Sequence, residues 1–277
     1  MIDNCQKILR LYLIVIFLIL GWLSLIIFKL NFDLQIYFFD VGQGDSMLIK
    51  TPGQQYIVID GGPDNTLIYK LGRYLPFYQR QIDLIILTHP DADHLVGLNE
   101  VLRRYQVENI LVTGIVDAEP AYEEFWRLVK YHQTRVLLAG QTKNINLSAD
   151  LNLAILYPNS SLVGQKVADS NDSSIVVRLD YPTGCVVLTG DASQSVEKQL
   201  LATDSKLSCG LLKLGHHGSK TSSSLDWLKA VNPALAIIQV GENKFGHPSP
   251  EVLNRLTQLN IPVLTTRSVG DIIVNLD

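Results

Sequence analysis

The run Thr88-His89-Pro90-Asp91-Ala92-Asp93-His94 places two histidines and two aspartates within six positions, directly after an apolar stretch. That stretch, Asp83-Leu84-Ile85-Ile86-Leu87, reads as a strand, and Pro90 breaks it. A strand ending in a ligand-rich loop holds side chains at fixed angles, as a catalytic metal requires. The alternative is a polar surface turn, where Asp and Pro are common. The rest of the chain argues against it, because it supplies further ligands of the same kind.

Strand and helix signals surround this run. Leu34–Asp40 reads as a strand, followed by the glycine-rich turn Val41-Gly42-Gln43-Gly44-Asp45-Ser46. Met47–Lys50 and Gln55–Asp60 read as a hairpin around Pro52-Gly53. Helices are expected over Thr66–Leu75, Leu95–Tyr105 and Ala121–Tyr131, the last with Phe125, Leu128 and Val129 on one side. The second half alternates in the same way. Strands are expected at Asn109–Thr113, Leu153–Tyr157, Ser174–Tyr181, Cys185–Thr189, Gly210–Leu214, Leu235–Val240, Pro262–Thr265 and Asp271–Leu276. Helices are expected at Ser195–Ala202, Leu225–Val231 and Pro248–Leu259. Meandering strands mixed with helices predict an α/β domain of two packed sheets with helices outside, from about residue 31 to 277.

The N-terminus carries a different signal. Leu11–Phe28 spans 18 residues without a charge, between Lys7 and Arg10 before it and Lys29 after it. A membrane span needs about 20 mainly apolar residues. The exit, Ile27-Phe28-Lys29-Leu30-Asn31-Phe32, has no small-residue cleavage site, so the reading is an uncleaved transmembrane signal anchor at 11–28. The alternative is a core helix that is apolar all round. The balance of basic residues puts residues 1–10 in the cytoplasm and the catalytic domain outside the membrane.

Charge and cysteines exclude some classes. Without Lys7, Arg10, Lys29 and Asp3 the chain keeps 20 basic and 26 acidic residues, a net charge of −6. Such a domain does not grip a polyanion by bulk charge, although bound divalent cations would make a local positive pocket. Cys185 and Cys209 lie in apolar strand-like runs and are expected as small buried side chains, with no disulfide framework.

Four of the six histidines, His89, His94, His216 and His217, sit at strand ends in loops beside glycine or proline. Asp91, Asp93 and Asp191 fall at strand ends or just beyond, and together these residues can assemble a dinuclear site. Imidazole with carboxylate suits zinc, manganese or iron. Asp191 follows the apolar strand and Gly190, and is the natural carboxylate to bridge two ions about 3.5–4 Å apart. His216 and His217 cannot both point the same way from an extended backbone. The expected ligand is His216, with His217 on the substrate side or supporting the ligands by hydrogen bonding. His132 ends an amphipathic helix and reads as a surface side chain.

With these motifs in order, the chain resembles the metallo-β-lactamase fold superfamily. Within it, residues 34 to 277 resemble the soluble C-terminal domain of ComEC-type competence proteins. The resemblance is carried by Phe39–Ser46, Ile59-Asp60-Gly61-Gly62, Thr88–His94, Leu188–Asp191, Leu214–Ser219, Phe245-Gly246-His247-Pro248 and Thr265-Thr266-Arg267. It implies an αββα sandwich. It also implies one ion held by His89, Asp91 and Asp191, and a second held by Asp93, His94, Asp191 and one of His216 and His217. The superfamily's third-motif histidine has no counterpart; Asn171-Asp172-Ser173-Ser174 stands there instead, leaving the first site short of one strong ligand. One or two divalent ions, zinc or manganese, are therefore expected. Asp60 is expected to support the histidine loop by hydrogen bonding.

Such ions make water reactive at neutral pH and stabilise charge on a phosphoryl oxygen, with Asp93 or Asp91 taking the proton. Ser219, Lys220 and Ser222 read either as phosphate contacts or as a solvated loop. His247 reads as a substrate contact or as a residue that simply precedes Pro248, and Arg267 as a further anion contact. The resemblance implies a membrane-anchored nuclease acting on DNA during uptake. The chain shows no multi-span channel, so transport does not carry over, and a separate channel protein stays open as a partner. Two other readings remain: a hydrolase of cell-surface phosphodiesters or small esters, and a metal-binding scaffold without turnover.

Overall fold

A computed structural model of the chain describes residues 2–29, 33–203 and 206–276. The first helix, α1, runs Ile2–Lys29. The strands and helices of the first half are β1 (Leu34–Phe38), β2 (Ser46–Lys50), β3 (Tyr56–Gly61), α2 (Thr66–Tyr74), β4 (Gln81–Ile86), α3 (Ala92–Arg104), β5 (Gln106–Val112), α4 (Pro120–His132) and β6 (Arg135–Leu138). The second half supplies β7 (Asn144–Asn146), β8 (Asn152–Tyr157), β9 (Val176–Tyr181), β10 (Gly184–Leu188), α5 (Gln194–Leu201), β11 (Leu211–Lys213), α6 (Leu225–Val231), β12 (Leu235–Ile238), α7 (Pro250–Gln258), β13 (Val263–Thr265), α8 (Thr266–Val269) and β14 (Ile272–Leu276).

These strands form two seven-stranded sheets, ordered β14-β1-β2-β3-β4-β5-β6 and β13-β12-β11-β10-β9-β8-β7. Alternation along the strands explains why the sheets pack face to face. In β1, Leu34, Ile36 and Phe38 join the layer between the sheets, while Tyr37 faces the other way, against the outer helices. Leu67 and Leu71 of α2, Leu95 and Leu98 of α3, and Phe125 of α4 cover the first sheet. Trp227, Val252 and Val196 cover the second. The result is the four-layer α/β architecture expected from the sequence.

α1 lies apart from this core. Its described side chains from Leu11 to Leu23 that are large and apolar are exposed, with Phe17 at 81%. The alternative of a buried core helix is therefore excluded. Among the described residues, however, no helix is long and apolar enough to cross a membrane, so the expected anchor is not supported by the structure. The side chains of Leu25 to Phe28, which complete the uncharged run, and residues 30–32 at the expected domain start lie outside the described residues.

Two further expectations need correction. α3 begins at Ala92, three residues before the expected start, so Asp93 and His94 stand on its first turn and Asp91 is its N-cap residue. Carboxylates in a first helical turn suit the local peptide dipoles, which explains the earlier start. Cys185 and Cys209 are joined in a disulfide across a sequence separation of 24 residues. β10 and β11 pair in parallel, with Val186 opposite Leu211, and that register brings the two cysteines together.

Candidate metal centre

The site forms where the ends of β3, β4, β10 and β11 meet. Close backbone contacts set its geometry. A Cβ on Gly97 of α3 would run into the Gly61 carbonyl, so only glycine lets α3 dock this low against β3. Gly190 has φ of +50°, and a Cβ there would lie 2.8 Å from Thr88 Cβ. This glycine brings Asp191 up to the histidine loop.

Asp60 organises that loop. Its carboxylate accepts the Thr88 backbone N–H at 2.8 Å and the Thr88 hydroxyl at 2.7 Å. It also accepts a hydrogen bond from His94 Nδ1 at 2.9 Å. The Thr88 hydroxyl donates its hydrogen bond to Asp60, so it accepts from His89 Nδ1 at 3.0 Å. His217 Nδ1 donates to the Gln239 carbonyl at 2.9 Å. Each Nδ1 is thereby engaged, which leaves Nε2 as the atom turned into the site as a ligand.

Those Nε2 atoms converge. His89, His94 and Asp191 bring one ligand atom each within 4.8 Å of one another, as do Asp93, His94 and His217. Asp191 bridges the groups, with Oδ1 3.4 Å from His94 Nε2 and Oδ2 3.3 Å from His217 Nε2. Asp93 Oδ2 lies 3.3 Å from His217 Nε2, and Asp91 Oδ2 lies 3.6 Å from His89 Nε2.

This set fits a divalent cation on structural grounds. His89 Nε2, His94 Nε2, His217 Nε2 and Asp191 Oδ1 are buried without a hydrogen-bond partner. Four buried polar atoms left unpaired in one place are costly unless something ligates them. Asp45 and Asp60 also fall in clusters with these histidines, but on the Nδ1 side of the rings. Asp45 is ion-paired to the buried Lys213, so both aspartates support the ligands from behind.

The field is strongly negative. Burial alone would push the His217 imidazolium down, yet Asp191 and Asp45 raise its pKa to about 10. Burial would raise Asp93, yet His217 and His94 lower it to about 2. Asp191 is held well below the usual carboxylate range, against its burial, by His217 and His94. A nest of ionised carboxylates of this kind attracts a divalent cation.

The structure places His217, not the expected His216, in the cluster of candidate ligand atoms. Both His216 and His217 take left-handed backbone angles, with φ of 49° and 51°. The extended backbone assumed for the pair does not exist here. His217 turns inward into the ligand cluster. His216 stays partly exposed, with Nε2 4.0 Å from Asp191 Oδ2 and Nδ1 3.4 Å from the Thr221 hydroxyl. Burial lowers the pKa of His216, and the neighbouring imidazoles of His217, His89 and His94 add to that lowering against the pull of Asp191.

Other expected residues lie nearby in different states. Asn171 spends its amide on Asp169, at 2.8 Å, within a short turn. Its neighbour Ser174 accepts the Asp191 backbone N–H at 3.1 Å and lies 3.4 Å from His89 Nδ1. Ser219 is buried and lies 2.9 Å from the Thr221 hydroxyl, while Lys220 is exposed. His247 packs its ring 5.6 Å from that of His216. Arg267 is exposed on α8, outside the ligand cluster. Sequence reasoning missed Asp45, Lys213, Ser174 and Gln239. The signal for Lys213 was present, as a lone charge inside the apolar run Leu211-Leu212-Lys213-Leu214.

With this geometry in view, comparison with known proteins defines the class. Residues 39–242 match the metallo-beta-lactamase superfamily, and the chain belongs to it. That superfamily consists generally of metal-dependent hydrolases. The chain is 29% identical over 253 residues to ComE operon protein 3 of Bacillus subtilis, covering 84% of this chain and 32% of that protein. It is 31% identical over 245 residues to recombination protein 2 of Haemophilus influenzae, covering 87% of this chain and 29% of the relative. The chain thus spans about a third of the length of these relatives. Among solved structures, Tm1679, a metal-dependent hydrolase of the beta-lactamase superfamily, superposes with a TM-score of 0.56 at 12% identity, covering 87% of this chain and 98% of that one. The last comparison speaks to the fold alone.

Proposed function

We propose that the chain is a membrane-anchored, metal-dependent phosphodiesterase that cuts DNA outside the cytoplasmic membrane. The observation that carries the hydrolytic reading is the convergence of three buried, unpaired Nε2 atoms on the Asp191 carboxylate. His89, Asp91, Asp93, His94, Asp191 and His217 would hold one or two ions of zinc or manganese. When bound, such ions supply an activated water and offset the charge that builds on a phosphoryl oxygen.

The chain's own groups divide the remaining work. Asp60 and the Gln239 carbonyl fix the ring orientations of His94 and His217. His217, expected on the substrate side, is committed to the buried cluster. His216 faces the open side, positioned by Thr221 and with its charged form disfavoured by burial, and is the group suited to move a proton. Asp91, at the solvent edge of the cluster 3.6 Å from His89 Nε2, is a carboxylate suited to accept a proton.

Similarity to competence protein ComA of Neisseria gonorrhoeae supports DNA as substrate, and with it a separate channel protein as partner. The anchoring reading rests on the uncharged sequence run Leu11–Phe28. The Cys185–Cys209 disulfide suits an oxidising compartment outside the cytoplasm. Cell fractionation with protease protection tests the location; a protein recovered wholly in the soluble cytosolic fraction would overturn it. For activity, the purified protein is incubated with manganese or zinc, and with either labelled DNA or bis-p-nitrophenyl phosphate. Cutting of both substrates is expected. Cleavage of the small diester alone would move the substrate to cell-surface or small phosphodiesters, a reading that the net charge of −6 over residues 31–277 favours over a long polyanion. Silence on both with metal bound would leave a scaffold.

A further inference from the structure

We infer that the loop Gly241–Ser249 carries a base-stacking subsite, in which Phe245 receives the nucleobase next to the scissile phosphodiester and Lys244 a flanking phosphate. The inference rests on the phosphodiesterase reading and specifies its substrate as a base-bearing nucleic acid strand.

Phe245 is 63% exposed although the loop that bears it is tightly built. The Asn243 side chain organises this loop with four hydrogen bonds. Its amide donates to the Gly241 carbonyl at 3.0 Å and to the His247 carbonyl at 2.8 Å. Its oxygen accepts the backbone N–H groups of Phe245 at 3.1 Å and His247 at 3.0 Å. Gly241 clamps the base of the loop, because a Cβ there would run into the Gly42–Gln43 backbone. An aromatic ring displayed on a preorganised loop loses little entropy when a ligand meets it.

The ring also leads into the metal centre. Phe245 stacks on His247 at 5.8 Å between centroids, and His247 meets His216 edge-on at 5.6 Å. His216 in turn reaches Asp191. A line of rings therefore runs from the ligand cluster to the exposed lip. Beside that lip lies an open depression of about 510 Å³, lined by Gln43, Glu242, Asn243, Lys244 and Phe245. Lys244 Nζ stands 5.7 Å from the centre of the Phe245 ring. A base stacking on the ring shifts this flexible ammonium toward the adjacent phosphate. An aromatic face with a neighbouring cation is the pairing that strand-binding proteins use without sequence preference.

The test compares a single-stranded oligonucleotide with a strand of equal length made of abasic sites, using the full chain loaded with manganese. Wild type is expected to prefer the base-bearing strand by about ten-fold in kcat/KM, mainly through KM. Phe245→Ala is expected to flatten that preference, and Phe245→Trp to retain it. A wild type that cuts both strands equally, or a Phe245→Ala variant that keeps the full preference, would overturn the stacking subsite alone. A wild type that cuts neither strand would instead remove the phosphodiesterase reading beneath it.

Discussion

Lys213 and Asp45 form an ion pair sealed from solvent directly behind the metal centre, both side chains at 0% exposure. The Lys213 ammonium also donates to the carbonyls of Gly190, at 3.0 Å, and Leu214, at 3.1 Å. Asp45 lies 3.3 Å from His217 Nδ1. One lysine thus ties together the turn before Asp191, the approach to the histidine pair and the glycine-rich turn after β1. Removing either partner strands a buried charge, so Lys213→Met or Asp45→Asn alone should cost about 3–5 kcal/mol. The double variant should cost much less than the sum. A double-mutant cycle by denaturant unfolding measures this, and additive losses would show that the pair is not coupled.

His216 and His217 should separate cleanly in kinetics. His216→Ala should lower kcat about 10²-fold or more and remove a limb of the pH–rate profile while leaving metal content intact. The check is a pH–rate profile of both proteins, and an unchanged profile would remove His216 from proton transfer.

Asp271 gives the fold a measurable pH dependence. It accepts from the Asp40 backbone at 2.9 Å, Lys70 at 2.7 Å and Tyr74 at 2.9 Å, tying the start of β14 to α2. Burial would raise its pKa, but these three partners lower it overall. A lowered carboxylate stabilises the fold above its unfolded value of about 3.9, and that stability is lost as pH falls through the folded value. Asp271→Asn should therefore cost about 1–2 kcal/mol near neutral pH. The gap to wild type should close as the pH drops below about 4. Denaturant titrations along that pH series provide the test, and a gap that widens in acid would reverse the assignment.

The Cys185–Cys209 link closes a loop that contains Asp191. Replacing both cysteines with serine should lower stability by about 2–4 kcal/mol, and reduction of the wild type should do the same. Thermal unfolding with and without reductant checks this; equal midpoints would mean the bond is absent in solution.

Much of this was legible in the sequence because apolar runs and ligand spacing are local. β4, β10 and β11 announce themselves as short apolar runs, and each ends in the residues that converge. The ligands' order along the chain was visible too. What the sequence hid depends on contacts between distant segments. The disulfide needs the parallel register of β10 against β11. The inward turn of His217 needs the left-handed backbone at His216 and His217, which no local pattern signals. β6 and β7 were missed because they are short edge elements with exposed positions. Asp45 read as one residue of a glycine-rich turn until Lys213 was seen packed against it.

Elemental analysis of the purified wild type beside His217→Ala and His216→Ala tests the central claim most directly. The wild type and His216→Ala should carry one or two equivalents of manganese or zinc, and His217→Ala should lose at least one. A wild type free of metal under saturating supply, or a His217→Ala variant with undiminished metal, would contradict the convergence of these side chains on a cation.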